Sequence, residues 1–171
     1  MKLKRKEELK MKDQLEQARS LGKAGRLEEA GELLILLAAD HPDDARLQFE
    51  CARAMDRTGK ETSAVPYYKR AILLGLPESK LKDAYLGLGS TLRTLGRYRQ
   101  SLAVLEKGSG RFPEDRALQV FRAMTLYNLG EHKEAMRLLL VNLADTAADG
   151  EINKYEAAIR FYAGHLDQVW E

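Results

Sequence analysis

The side chains in this sequence that could carry catalysis or hold a metal are few and scattered. His41, His132 and His165 lie in or beside three separate turns, more than thirty residues apart, which is not metal-ligand spacing. Cys51 is the only cysteine, so neither an internal disulfide nor a multi-cysteine zinc site is expected. Its place on a helix face that turns inward reads as a small buried hydrophobe rather than a nucleophile, and a lone thiol suits a reducing compartment. The paired acids Glu28-Glu29 and Asp43-Asp44 stand at helix starts, where the helix dipole favours them. Gly87-Leu88-Gly89 falls inside a helix and follows no strand, so it is not a phosphate loop, and no nucleophile elbow or HExxH pattern is present. The chain is therefore expected not to be an enzyme, with no cofactor and no metal.

The elements around these residues belong to a soluble folded chain. Of 171 residues, 44% are apolar and 32% charged, near or above the averages of globular proteins. No apolar stretch approaches the ~18–20 residues of a membrane span, and no apolar signal-peptide segment follows the basic start. A cytoplasmic protein with no membrane partner is expected. The net charge of +2 is unevenly spread. Lys2, Lys4, Arg5, Lys6, Lys10 and Lys12 against Glu7 and Glu8 make Met1 to Lys12 +4, which leaves −2 on the remainder. A body without basic excess argues against nucleic acid as a partner. Residues 1–10, rich in good helix formers, read as a basic helical extension.

Internal periodicity organises the rest. Gly25, Gly59, Gly96, Gly130 and Gly164 are spaced by 34, 37, 34 and 34 residues. Seven positions before them stand Ala18, Ala52, Gly89, Ala123 and Ala157; five after stand Ala30, Ala64, Ser101, Ala135 and Val169. A large residue recurs nine positions after the glycine, at Leu34, Tyr68, Leu105 and Leu139. Small residues let two helix backbones approach and large ones fill the space beside them, so each unit reads as a pair of antiparallel helices joined at the glycine. Pro42, Pro77 and Pro113 close the units. Helices are expected over 3–23, 27–40, 44–57, 62–74, 79–94, 98–110, 114–128, 131–146 and 151–163. Pro66 is acceptable there only in the first turn of its helix, with Thr62 or Ser63 as the cap. Three extra residues around Leu76 to Leu81 allow the fifth helix to start early. Ile152, Tyr155, Ile159, Tyr162, Leu166 and Val169 form one apolar stripe on a C-terminal cap, which either folds back on the preceding unit or pairs with a second copy.

These columns resemble the tetratricopeptide repeat, most closely at Leu88-Gly89, Gly96, Tyr98 and Pro113. The resemblance implies an all-α fold: a right-handed α-solenoid of stacked antiparallel helix pairs, about four repeats plus a C-terminal capping helix. One solenoid domain would span 11–171, with units 11–44, 45–81, 82–115 and 116–149 and a cap at 150–171. It also implies a concave groove lined by the first helix of each unit. Carried over position by position, the groove residues are Lys12, Arg19, Lys23, Arg46, Phe49, Arg53 and Arg57 in a basic half. Leu86, Arg93, Val120, Met124, Tyr127, Asn128, Phe161 and Tyr162 continue it into a half that is mostly apolar and aromatic. The chaperone-binding clamp of the family is absent, since Leu15, Arg19, Arg53, Asp83 and Gly87 occupy its positions. The expected function is a non-catalytic adaptor for a protein or peptide with acidic and apolar segments. The alternatives are a homodimer formed through the cap and, less favoured, an RNA-binding helical repeat.

Overall fold

The computed structural model describes the backbone of residues 2–170 and the side chains of residues 9–170; Met1 of the basic extension and Glu171 of the cap lie outside the described residues. Among the described residues every regular element is a helix. They fall into two compact units divided between Leu95 and Gly96.

The first unit contains α1 (Lys2–Lys23), α2 (Leu27–Asp40), α3 (Ala45–Arg57), α4 (Glu61–Leu74) and α5 (Glu78–Thr94), each packed on the next. Four glycines of the repeat column, Gly25, Gly59, Gly96 and Gly130, have φ between 69° and 86°. At Gly59 this left-handed residue lets the Lys60 N–H reach the Met55 carbonyl (2.9 Å) and the Gly59 N–H reach that of Asp56 (3.1 Å). The last carbonyls of α3 are thereby satisfied, and the chain reverses into α4. A Cβ at such a φ is strained, which is why the column is glycine.

The small-residue columns do what their spacing implies. Ala18, Ala52 and Ala123 are buried, as are Ala30, Ala64, Ser101 and Ala135. Cys51 joins Ala18, Leu34 and Ala38 in the core of the first unit, and burial pushes its thiol pKa up to about 11, so it stays protonated and inert.

Two local expectations are corrected. The α4 cap is Lys60, with no side-chain cap hydrogen bond, rather than Thr62 or Ser63. Its Nζ pairs instead with Glu28 Oε2 at 2.5 Å, joining the starts of α4 and α2. Because α4 begins at Glu61, Pro66 is its sixth residue, beyond the first turn. The carbonyl it leaves without a donor is that of Thr62, an exposed residue, where water can take the missing N–H's place. Asp44, which the sequence places at a helix start, caps α3 by accepting from the N–H groups of Arg46 (2.8 Å) and Leu47 (3.1 Å).

Gly87 on α5 has a separate reason to be small. A Cβ there would meet Tyr68 Oη at 2.5 Å and Cζ at 2.6 Å. Tyr68 is buried, and its hydroxyl donates to Asp56 Oδ2 at 2.8 Å. Gly87→Ala gains up to ~1 kcal/mol in helix propensity. Displacing the ring costs ~1–3 kcal/mol, and a buried hydroxyl stripped of its partner costs ~1–3 more. The variant is therefore expected to unfold at lower urea concentration than the parent; an unchanged or raised midpoint would show that Tyr68 is not fixed against Gly87.

The second unit contains α6 (Tyr98–Arg111), α7 (Arg116–Asn128), α8 (His132–Thr146), α9 (Gly150–Asn153) and α10 (Glu156–Ala163). α7 packs between α6 and α8, and α10 packs on α8. Leu102 covers a core of Ala123, Leu126, Ala135 and Leu138. Ser101 and Thr125, both fully buried, pair through their hydroxyls at 3.1 Å, and Thr125 donates onward to the Phe121 carbonyl.

The cap departs from the single helix expected over 151–163. The Tyr155 N–H closes a tight turn on the Ile152 carbonyl at 3.0 Å, which separates α9 from α10, and Gly150 and Asn153, the first and last residues of α9, are weak helix formers. Gly164 ends α10 with φ −85° rather than in the left-handed region. Ala157 is exposed and Val169 is 87% exposed, so the fifth set of columns does not pack as a repeat and the six-residue stripe is not one buried face.

Candidate functional site

The first unit holds a cavity of about 540 Å³, within the ~300–1,000 Å³ typical of ligand pockets. Its floor is apolar: Leu15 and Ala18 from α1, Leu27, Ala30 and Leu34 from α2, and Ala54 from α3. Around that floor stand Arg19 and Lys23 from α1, Arg53 and Arg57 from α3, and Lys80 from α5, with Glu50 the one lining carboxylate. Helical spacing produces this arrangement. Leu15, Ala18, Arg19, Gly22 and Lys23 recur at three and four residues on one face of α1, and Glu50, Arg53, Ala54 and Arg57 do the same on α3.

Two of the cations are held loosely by carboxylates. Arg19 lies 3.6 Å from Glu16, and Arg53 lies 3.8 Å from Glu50, both longer than a charge-assisted hydrogen bond. Beneath them is a packed aromatic base. The Arg53 guanidinium carbon sits 5.6 Å, and Lys80 Nζ 5.7 Å, from the centroid of the Phe49 ring, both in cation–π range. Phe49 in turn lies 6.1 Å from the ring of Tyr68. Asp56 holds this base together from α3: it accepts from Tyr68 on α4 and lies 2.9 and 3.0 Å from Thr91 Oγ1 on α5. Burial raises the Asp56 pKa, against the opposing effect of the Tyr68 and Thr91 hydroxyls.

Of the fifteen groove residues carried over by resemblance, the cavity gathers Arg19, Lys23, Arg53 and Arg57. Lys12 is exposed on α1, one turn before the cavity begins. Arg46 is exposed and lines a different depression, with Asp40, His41 and Pro77. Phe49 is 1% exposed, so it supports cations from below instead of meeting a partner. Leu86 and Arg93 are half-buried on α5 and do not line the cavity.

In the second unit, Val120 and Met124 are half-buried on α7, and Asn128 is exposed. Tyr127 is 63% exposed, its ring 4.8 Å from that of His132. Phe161 and Tyr162 lie on α10 and about half of each is exposed. They cluster with the chain end: Phe161 stacks on His165 at 4.5 Å, and Trp170 lies 5.9 Å from Phe161 and 5.4 Å from Tyr162. α10 is fixed to α8 by Arg160, which pairs with Asp145; Arg116 of α7 reaches the same carboxylate at 2.6 Å. The Arg160 hydrogen bond, foremost, holds the Asp145 carboxyl below its ordinary pKa.

Sequence reasoning missed Lys80 and the α2 part of the floor. Lys80 sits in the three-residue insertion, on the extra turn by which α5 starts at Glu78, so no family position corresponds to it. The floor residues Ala30 and Leu34 were visible as repeat columns, but only as packing. Among the described residues no group of three His, Cys, Asp or Glu side chains could hold a metal ion, and no helix is long and apolar enough to cross a membrane.

No curated protein matches the chain in sequence. Its fold is similar to that of MamA from Desulfovibrio magneticus RS-1 (TM-score 0.69, 16% identity, 92% of this chain and 95% of that one). It is also similar to YrrB, described as a TPR protein with an unusual peptide-binding site (TM-score 0.68, 17% identity, 91% of this chain and 77% of that one). The Tetratrico peptide repeat profile matches residues 45–166, most of the chain and all of it from α3 to α10, and the chain therefore belongs to the tetratricopeptide-repeat family, whose fold supports a protein-interaction module.

Proposed function

We infer that the protein is a non-catalytic adaptor whose first unit captures a partner segment carrying carboxylates next to an apolar side chain. The observation that carries this reading is the set of five cations from α1, α3 and α5 around one apolar floor. Carboxylates complete the bonding of Arg and Lys at such a rim, while the floor removes an apolar side chain from water. The peptide-binding site named for YrrB is consistent with a peptide partner for this fold.

The test is calorimetric titration with a synthetic peptide of alternating leucine and glutamate. Binding is expected at about 50 mM salt and to weaken severalfold at about 300 mM, because the rim is solvent-exposed and screened. Binding that ignores salt would contradict the reading.

A second reading, self-association through the chain end, is favoured by the half-exposed rings of Phe161, Tyr162 and Trp170. Light scattering over a hundredfold concentration range separates it from the first: a mass that rises with concentration supports it, and a constant monomer mass removes it.

A further inference from the structure

We propose that the cavity of the first unit is a pocket for a phosphotyrosine side chain of a partner segment. This rests on the reading of the same cavity as a capture site and narrows its ligand.

Two features of the rim make a single carboxylate a poor match. Arg19 and Lys23 are four residues apart on α1, as are Arg53 and Arg57 on α3. Like charges at that spacing repel and weaken a helix, yet both pairs face the same cavity, where Lys80 adds a fifth positive group. Among the described residues no carboxylate lies within ion-pair distance of Lys23 or Arg57, and those near Arg19 and Arg53 stand off at 3.6 and 3.8 Å. A phosphate monoester brings close to two negative charges and three acceptor oxygens at neutral pH, enough to engage several of these donors at once.

The floor then chooses the body that bears the phosphate. The cations and the apolar residues share one cavity rather than occupying opposite ends of a groove. A glutamate has two methylenes to lay against Leu15, Leu27 and Leu34, and a phosphoserine has one. A phosphotyrosine ring covers that floor with its phosphate at the rim, and its face can stack on a guanidinium. Arg53 and Lys80 are already positioned over the Phe49 ring, so less freedom is lost when they take up the anion.

Four otherwise identical alanine- and serine-based peptides carrying phosphotyrosine, tyrosine, phosphoserine or glutamate at the centre, together with the leucine–glutamate peptide, are titrated into the full chain. The phosphotyrosine peptide is expected to bind at least tenfold more tightly than the other three of its set. Lys23→Ala with Arg57→Ala, both at exposed positions, should remove that advantage with the far-UV spectrum unchanged. Equal affinity for phosphoserine would overturn the proposal by showing that the floor is unused, and an advantage surviving the double variant would overturn it by placing the phosphate elsewhere. Binding of the leucine–glutamate peptide with no gain from phosphotyrosine overturns the proposal and leaves the capture reading standing. Failure of every peptide to bind overturns both.

Discussion

Arg19→Glu, Arg53→Glu and Arg57→Glu in one chain should abolish capture of the acidic partner segment while leaving helix content intact. Each charge-assisted hydrogen bond to such a partner is worth ~1.5–3 kcal/mol. Loss of three, followed by like-charge repulsion, amounts to at least a thousandfold in affinity. The fold should survive because Arg19 and Arg57 are exposed and Arg53 is half-buried, and exposed substitutions away from packed features usually stay within ~0.5 kcal/mol. The closest carboxylates, Glu16 and Glu50, form only long contacts with Arg19 and Arg53, so little native pairing is lost. Titration calorimetry on parent and variant, with circular dichroism as the control, gives the answer. Undiminished affinity would remove these arginines from the binding surface.

Phe49→Ala is expected to cause the largest loss of stability from a single substitution at this site, ~3–5 kcal/mol. The ring is 1% exposed, packs on Tyr68 and carries two cations. Phe49→Leu keeps most of the volume and should cost under ~1.5 kcal/mol in packing, but it removes the π face. The pair therefore separates two roles. Both variants should lose affinity for the acidic peptide because Arg53 and Lys80 are no longer positioned, whereas only the alanine variant should unfold at markedly lower urea. If the leucine variant binds as the parent does, the ring serves packing alone.

The helices were legible because their boundaries are set by local chemistry. α2 spans Leu27–Asp40 as expected, since Gly25 before it has a backbone that only glycine adopts without strain. The break between α9 and α10 was not legible. An apolar stripe at three- and four-residue spacing runs straight through Tyr155, and the stripe alone does not reveal that the terminal rings gather on one another.

At the site, the resemblance named Arg19, Lys23, Arg53 and Arg57 as groove residues, and these four line one cavity between α1 and α3. The same resemblance offered Phe49 to a partner, but burial depends on what lies opposite: Tyr68 packs on its ring, and the charged ends of Arg53 and Lys80 stand over it. Arg46 lies apart from these four: it is in the first turn of α3, after the Asp44 cap, and lines the depression beside the preceding loop. Lys80 lies among the inserted residues at the start of α5 and matches no repeat position, so the helix expected over 79–94 contained it without marking it as a groove residue.

Backbone amide chemical-shift mapping during titration with the leucine–glutamate peptide tests most directly whether this cationic, apolar-floored cavity is a docking surface. The account predicts that the shifting resonances concentrate in α1 from Leu15 to Lys23, in α3 from Glu50 to Arg57, and around Lys80. Shifts confined to the second unit, or centred on Arg46 and its loop, would contradict it.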